Sequence, residues 1–306
     1  MATIRKDLGR LRILVSPVKF RFSPQFNYYM RSLFLFFALW IGLSLYSQSE
    51  IILQLEDNLF FRVPIPRKGI VCSNQLRVDR LSHYLENISC YESAWGPRLY
   101  IGEYQGEKIF IASAPVGTGS GLVFTELYAG GAEYVIRYGS DDVPNPTPRD
   151  FQVIKVIDET DNLYGFNQAS GVPSEEWGKS LSASPYLIAA LEEEAIVRGL
   201  MIERRVCHHL ENYYAIRCPE KYPNRTEALR QQITALARAD QPESWDMESA
   251  VLFRVAHDFN KHAAAVLQMV NKEDPKMGPY EGKNREKALE QERLFFNYVC
   301  STLLRL

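Results

Sequence analysis

The sequence predicts an α/β fold, a mainly parallel sheet with helices on both faces, preceded by a hydrophobic N-terminal helix. Three observations lead there. From residue 70 onward, short apolar runs alternate with amphipathic stretches, as in successive βαβ units. Residues 109–142 read as strand, glycine-rich turn, helix and strand, with glycines at 117, 119 and 121. Ala263–Val270 is apolar throughout except for Gln268, as a strand covered on both faces should be. The 306 residues suffice for one large α/β domain plus an extra segment. At 46% hydrophobic and 24% charged, the composition is that of an ordinary globular chain.

Three segments follow: a basic leader with a hydrophobic stretch (1–49), a connector (50–69) and the α/β domain (70–306). Residues 1–31 carry seven Lys/Arg against one acid, a net +6 that leaves the remainder at −8. The main body therefore offers no basic surface for nucleic acid. Ser32–Ser49 holds no charge and has no polar face. It reads as a signal peptide ending near Ser47-Gln48-Ser49, as a single membrane span with its basic side cytoplasmic, or as a helix buried on the main domain. The first two place the protein at a membrane or outside the cytoplasm, and the third leaves it cytoplasmic. Met30 is an alternative start. Sequons at Asn87-Ile88-Ser89 and Asn224-Arg225-Thr226 are compatible with export. The five cysteines form no CxxC pair, and Cys207-His208-His209 lacks a second ligand group, so no metal is expected.

In order, Ile70–Cys72 is a strand, Ser73-Asn74-Gln75 a turn, and Arg77 lies just inside the next helix. Tyr100–Tyr104 and Lys108–Ser113 form a hairpin around Gln105-Gly106. The glycine turn, the helix 122–130 and the strand ending on Arg137 follow. Pro144, Pro146 and Pro148 make 141–150 a loop, and Phe151–Ile157 alternates as a strand. Ser184–Arg198 is a helix, Ile202–Cys207 a strand, 208–222 irregular and aromatic, and Thr226–Ala239 a polar helix. Met247–Phe259 is a helix preceded by Ser244-Trp245-Asp246. After the strand 263–270 and a polar loop, 284–305 closes the chain as an amphipathic helix.

Four places can carry chemistry. Arg77 stands just inside a helix after a strand and turn, Arg137 ends another strand where a parallel sheet opens its crevice, and guanidinium forks suit phosphate. Ser140 and the backbone N–H groups near Gly117 and Thr118 would add donors. The competing reading makes both arginines surface ion pairs. Glu248, at the start of a helix, can accept two sugar hydroxyls or simply favour the helix N-terminus, as Asp246 does. The strand end Met269–Lys272 again falls at the crevice, or is an ordinary turn. Tyr213-Tyr214 can stack on a planar base or fill core.

In this order, the pieces resemble the nucleoside phosphorylase superfamily, which includes uridine phosphorylase and hexameric purine nucleoside phosphorylase. The resemblance covers about 70–305. It is carried by Ile70–Val78, Val116–Ser120, Glu126-Leu127, Ile136–Ser140, Asp246–Ala250 and Val270-Asn271-Lys272. It implies a distorted central sheet and assembly as dimers or trimers of dimers. It implies phosphorolysis of a nucleoside to free base and ribose 1-phosphate, with inorganic phosphate as co-substrate and no cofactor. Arg77, Arg137, Ser140 and the Gly117-Thr118 backbone would hold phosphate. Met247 and Glu248 would hold ribose, and Tyr213, Arg217 and Asn271 would meet the base. Arg137, Glu248 and Asn271 would form the catalytic group.

The chain departs from that pattern in places. The family's Gly-Asp-Pro turn is Ser73-Asn74-Gln75 here. Asp141-Asp142 replace a small residue and glycine, and two acids there oppose an anion unless they turn away. Asn271 stands where purine enzymes carry an acid, which favours the uridine type. Arg98 is the nearest candidate for the family's neighbouring-subunit arginine. Two alternatives to phosphorolysis follow: a hydrolytic nucleosidase, and a nucleoside-binding or storage relative without catalysis. The presence of both Arg77 and Arg137 favours phosphate over water.

Overall fold

A computed structural model describes residues 63–93, 96–143, 146–161, 163–236, 243–269 and 280–306. The leader, the hydrophobic segment 32–49 and most of the connector lie outside them, as do Asn271 and Lys272. Among the described residues no helix is long and apolar enough to cross a membrane.

Among the described residues ten strands form one sheet in the order β2-β3-β4-β1-β5-β10-β6-β8-β9, with the short β7 (Leu181–Ser182) beside β6. Four are central: β1 (Lys68–Cys72), β4 (Glu107–Ser113), β5 (Tyr134–Ser140) and β10 (His262–Gln268), all mutually parallel. They are buried almost end to end, which accounts for their unbroken apolar runs. β6 (Ile154–Asp161), β8 (Ile202–His209) and β9 (Glu243–Asp246) form a second parallel block.

The sheet as a whole is mixed, which corrects the expectation of a mainly parallel one. β6 pairs antiparallel with β10, Leu267 lying opposite Lys155. β5 ends, and β6 begins, at the Gln268 end of β10. Between them the described residues hold a single 3-10 turn at Pro148–Phe151, and the sequence carries Pro144, Pro146 and Pro148. Parallel pairing needs a crossover, usually a helix, and the prolines prevent one, so the chain returns on itself. β2 (Glu86–Glu92), β3 (Arg98–Tyr104) and β4 form an antiparallel meander. The expected turn at Gln105-Gly106 has both residues at positive φ, 52° and 82°, as a tight hairpin requires.

The helices cover this sheet. α1 (Gln75–Ser82) and the C-terminal α8 (Asn284–Leu304) lie against β1, while α2 (Ser120–Ala129) packs on α7 (Ser249–Asp258). α3 (Tyr164–Ala169) is short, and α4 (Pro185–Arg198) packs on α8. α4 ends on Gly199 in the left-handed conformation (φ 63°), the usual glycine stop. α5 (Tyr213–Arg217) and α6 (Thr226–Leu236) follow β8. Three strands escape the sequence reading: β2, exposed along nearly its whole length, the two-residue β7 and the four-residue β9.

Buried charges tie the second block together. Lys155 on β6 is fully buried against Asp141 and lies 3.3 Å from Asp150. On β8, His208 Nδ1 lies 2.7 Å from Asp161, its Nε2 faces Glu243 at 3.4 Å, and its ring meets Trp245 edge-on. Burial lowers the His208 pKa, but the two carboxylates outweigh it and the net shift is upward. Protonated His208 therefore contributes stability that is complete below the unfolded-state value, about 6.5. That contribution is lost as pH rises through the higher folded value. The melting temperature is expected to fall across that window, and to fall less in His208→Asn. Equal slopes in the two proteins, read by calorimetry, would remove this contribution.

Candidate active site

A cavity of about 590 Å³ opens where β1 and β5 end. Its walls bring together Arg77, Arg137, Ser140, Tyr213, Met247 and Glu248, six residues singled out in the sequence. Neither arginine is a surface ion pair: Arg77 is 6% exposed and Arg137 2%.

Local chemistry fixes each one. Asn74 caps α1, its side-chain oxygen accepting from the Arg77 N–H at 3.2 Å, so Arg77 lies in the first turn. The Arg77 guanidinium donates to Ser140 Oγ (3.1 Å) and lies over the Tyr138 ring at 4.7 Å. Its Nε is 3.4 Å from Glu292 of α8. Arg137 is not the last residue of its strand, since β5 continues to Ser140. Its guanidinium folds back over Gly139, where a Cβ would lie 2.7 Å from Nη2, so the close approach demands glycine.

Arg137 is shared among three acceptors. Nε donates to Asp246 Oδ2 (2.7 Å), Nη2 to Glu248 Oε2 (2.5 Å) and Nη1 to Ser73 Oγ (3.2 Å). The two acids differ in role. Asp246 accepts from Ser249 N (3.1 Å) and Ser249 Oγ (2.6 Å), anchoring the start of α7. Glu248 occupies the N-cap position yet makes no capping bond. Its Oε1 instead accepts from the Gly117 N–H at 2.8 Å. The helix-end reading therefore fits Asp246 and fails for Glu248.

Their pKa values move apart. Burial pushes both up, but for Asp246 the Arg137 charge and the Ser249 hydroxyl prevail and the net shift is downward. For Glu248 burial outweighs Arg137, and neighbouring Asp246 adds to the rise. Asp246 thus keeps its charge to lower pH than an ordinary aspartate and orients Arg137, while Glu248 takes up a proton at higher pH than an ordinary glutamate.

The glycine turn works differently from the expectation. Only Gly117 has positive φ (76°), and its N–H already holds the Glu248 carboxylate. Gly121 makes room for the Phe166 ring, 2.5 Å from a virtual Cβ, and for no ligand. Thr118, in the 3-10 turn Gly117–Gly119, is not part of the cavity wall. Ser73, which departs from the family's glycine, lines the cavity as an Arg137 partner. Asp141 turns away: its carboxylate accepts from Trp245 N (2.9 Å), Val143 N (3.1 Å) and Ser244 Oγ (3.2 Å), and pairs with Lys155. Asp142 lines the cavity. Arg98 is engaged by Asp79 (2.8 Å) and Glu92 (3.1 Å) of its own chain. Arg217 ends α5, but its side chain, like all of Asn271, lies outside the described set.

Spacing gave no sign of three contributors. Glu211 and Asn212 join the wall from the β8–α5 connection, beside Tyr214 in α5. Glu292 stands behind it, 2% exposed, receiving Arg80 through two bonds (2.7 and 2.8 Å) and the Tyr280 hydroxyl (2.9 Å).

A mixed sheet wrapped by helices is a fold that solved structures of other proteins share. Uridine phosphorylase from Vibrio fischeri ES114 superposes with a TM-score of 0.60 at 22% identity, covering 79% of this chain and 93% of that one. A futalosine hydrolase mutant of Helicobacter pylori gives 0.59 at 14%, covering 79% of this chain and all of its own. Campylobacter jejuni 5'-methylthioadenosine/S-adenosyl homocysteine nucleosidase gives 0.59 at 15%, with the same coverage. No curated protein matches the chain by sequence. The model of the phosphorylase superfamily matches residues 67–305, and the chain belongs to that family.

Proposed function

We propose that the protein cleaves the N-glycosidic bond of a nucleoside with inorganic phosphate, as uridine phosphorylases do, and needs no cofactor. The C1'–N bond breaks with its electron pair leaving on the base. A phosphate oxygen bonds to C1', giving ribose 1-phosphate and the free base. The observation that carries this reading is the pair of buried arginines, 77 and 137, on one cavity with Glu248. Guanidinium forks fit phosphate, and a carboxylate fits two ribose hydroxyls. Charge on phosphate and a positioned sugar stabilise an oxocarbenium-like transition state without a covalent intermediate. Met247 lies against the sugar, and Tyr213 offers a face to the base. Arg217 and Asn271 complete the base side in this reading.

One observation favours hydrolysis instead. Glu248 occupies both Arg137 Nη2 and the Gly117 N–H, two donors that phosphate would need. In the phosphorolytic reading, ribose hydroxyls draw that carboxylate off and release the donors. Assay of products on a nucleoside panel decides among the readings. Ribose 1-phosphate formed only with phosphate supports phosphorolysis, and ribose formed without it supports a nucleosidase. Neither product, with nucleoside still raising the melting temperature, identifies a binding relative. Oligomerisation and membrane contact through 32–49 are further proposals, tested by sedimentation and by fractionation of the full chain.

Glu292 is expected to serve phosphate through Arg77. Glu292→Gln should raise the phosphate KM roughly tenfold, about 1.4 kcal/mol, with kcat at saturating phosphate nearly kept. An unchanged KM would show that Arg77 is held without it.

A further inference from the structure

Resting on that reading, we propose that the two substrates bind in a fixed order, nucleoside before phosphate, because Glu248 occupies the phosphate donors until ribose draws it away. The observation is that these donors are all engaged within the protein. Each nitrogen of the Arg137 guanidinium already donates: Nε to Asp246 (2.7 Å), Nη1 to Ser73 (3.2 Å) and Nη2 to Glu248 (2.5 Å). The other Glu248 oxygen takes the Gly117 N–H at 2.8 Å. Arg137 and Glu248 are each 2% exposed, so an anion entering the cavity meets almost none of the fork. Arg77, also buried, is turned onto Ser140 Oγ (3.1 Å) and Glu292 (3.4 Å).

The two carboxylates on Arg137 differ in what a movement would cost. Asp246 also accepts from Ser249 N (3.1 Å) and Ser249 Oγ (2.6 Å), so withdrawing it strips the start of α7 of its acceptor. Glu248 occupies the N-cap position without a capping bond, so its side chain can swing and leave the helix intact. When it swings, Arg137 keeps a counter-charge and an anchor through Nε on Asp246. The donors on Nη2 and on Gly117 then come free together, side by side.

Only one of the substrates can draw Glu248 off. An ionised carboxylate accepts hydrogen bonds and donates none. The ribose 2'- and 3'-hydroxyls bring two donors, one for each oxygen that gives up its own. Phosphate is an anion rich in acceptors. It would displace a buried carboxylate with nothing to pair it, and like charges repel most where water is excluded. Phosphate therefore finds a competent site only in the fraction of molecules whose Glu248 has already turned, and its apparent affinity is lowered by that fraction. The coupling is reciprocal, so each substrate strengthens binding of the other by the same factor.

The test uses full-length protein. Calorimetric titration with inorganic phosphate, without nucleoside, compares the wild type with Glu248→Ala. The variant has lost the internal competitor and is expected to bind phosphate roughly tenfold tighter or more, although its nucleoside turnover collapses. Equal or weaker binding by the variant overturns the proposal, because a merely structural Glu248 would loosen the site when removed. In the wild type, the KM of the nucleoside cleaved fastest is expected to fall roughly tenfold or more as phosphate is raised from scarce to saturating. A nucleoside KM independent of phosphate overturns the order and leaves phosphorolysis standing. If Glu248→Ala fails to fold, that KM alone decides. If no nucleoside is cleaved, the phosphate titration alone decides. Ribose released equally well without phosphate, with neither protein binding phosphate, ends the phosphorolytic reading and the order with it.

Discussion

Arg137→Ala is expected to abolish phosphate-dependent cleavage and to cost the fold about 3–5 kcal/mol. The guanidinium satisfies two buried carboxylates, at 2.7 Å on Asp246 and 2.5 Å on Glu248. Truncation leaves both without their cation in a site almost closed to water. One of them must then take up a proton or draw water inside. Urea unfolding reads the stability loss, and phosphate-dependent turnover reads the other. Arg137→Lys separates the two effects. It keeps the charge but loses the fork, so it should fold while phosphate kcat/KM falls about 10²-fold or more. Near-normal turnover in a folded alanine variant would place phosphate elsewhere.

Glu248→Gln carries the second large effect. The amide cannot accept through both arms, and it turns an NH2 toward either Gly117 N–H or Arg137, both donors. Nucleoside kcat/KM should fall about 10²–10³-fold. The wild-type pH profile should show the same group. Since burial lifts the Glu248 pKa, the carboxylate protonates at a higher pH than an ordinary glutamate as acid is added. Activity is then lost on the acid side, with a midpoint above the usual carboxylate range, and this limb is absent in Glu248→Gln. A limb at the ordinary carboxylate position, or one that survives the substitution, would take Glu248 out of sugar binding.

Much of the site was legible because strand ends and glycine turns leave local marks. Arg77, Arg137, Ser140, Met247, Glu248 and Tyr213 all reach one cavity from motifs spread over some 170 positions. Residues whose role depends on partners across the fold left no such mark. Glu292 reads as one of several acids on a C-terminal amphipathic helix, and only packing of α8 against α1 carries it to Arg77 and Arg80. Glu211 and Asn212 fall in a stretch that reads as irregular and aromatic, and Ser73 in a turn that departs from the family pattern. Asp141 and Asp142 are neighbours of the same type, yet one is buried against Lys155 and the other faces the cavity. Spacing cannot separate them, because the difference lies in β6 and β9.

The fold divides in the same way. Unbroken apolar runs determined β1, β5 and β10, and the Gln105-Gly106 turn determined the β3–β4 hairpin, because burial on two faces and positive φ constrain residue type locally. Strand direction was settled by connection geometry: a proline-rich return without a helix lays β6 antiparallel to β10, and so makes the sheet mixed. The sequence by itself supplied the phosphorylase superfamily motifs and the arginine pair. The tertiary structure alone decided that Glu248 takes the Gly117 N–H instead of capping its helix, and which of two adjacent aspartates lines the cavity. Those choices depend on which groups lose water and meet across the sheet, and desolvation is a property of the packed molecule.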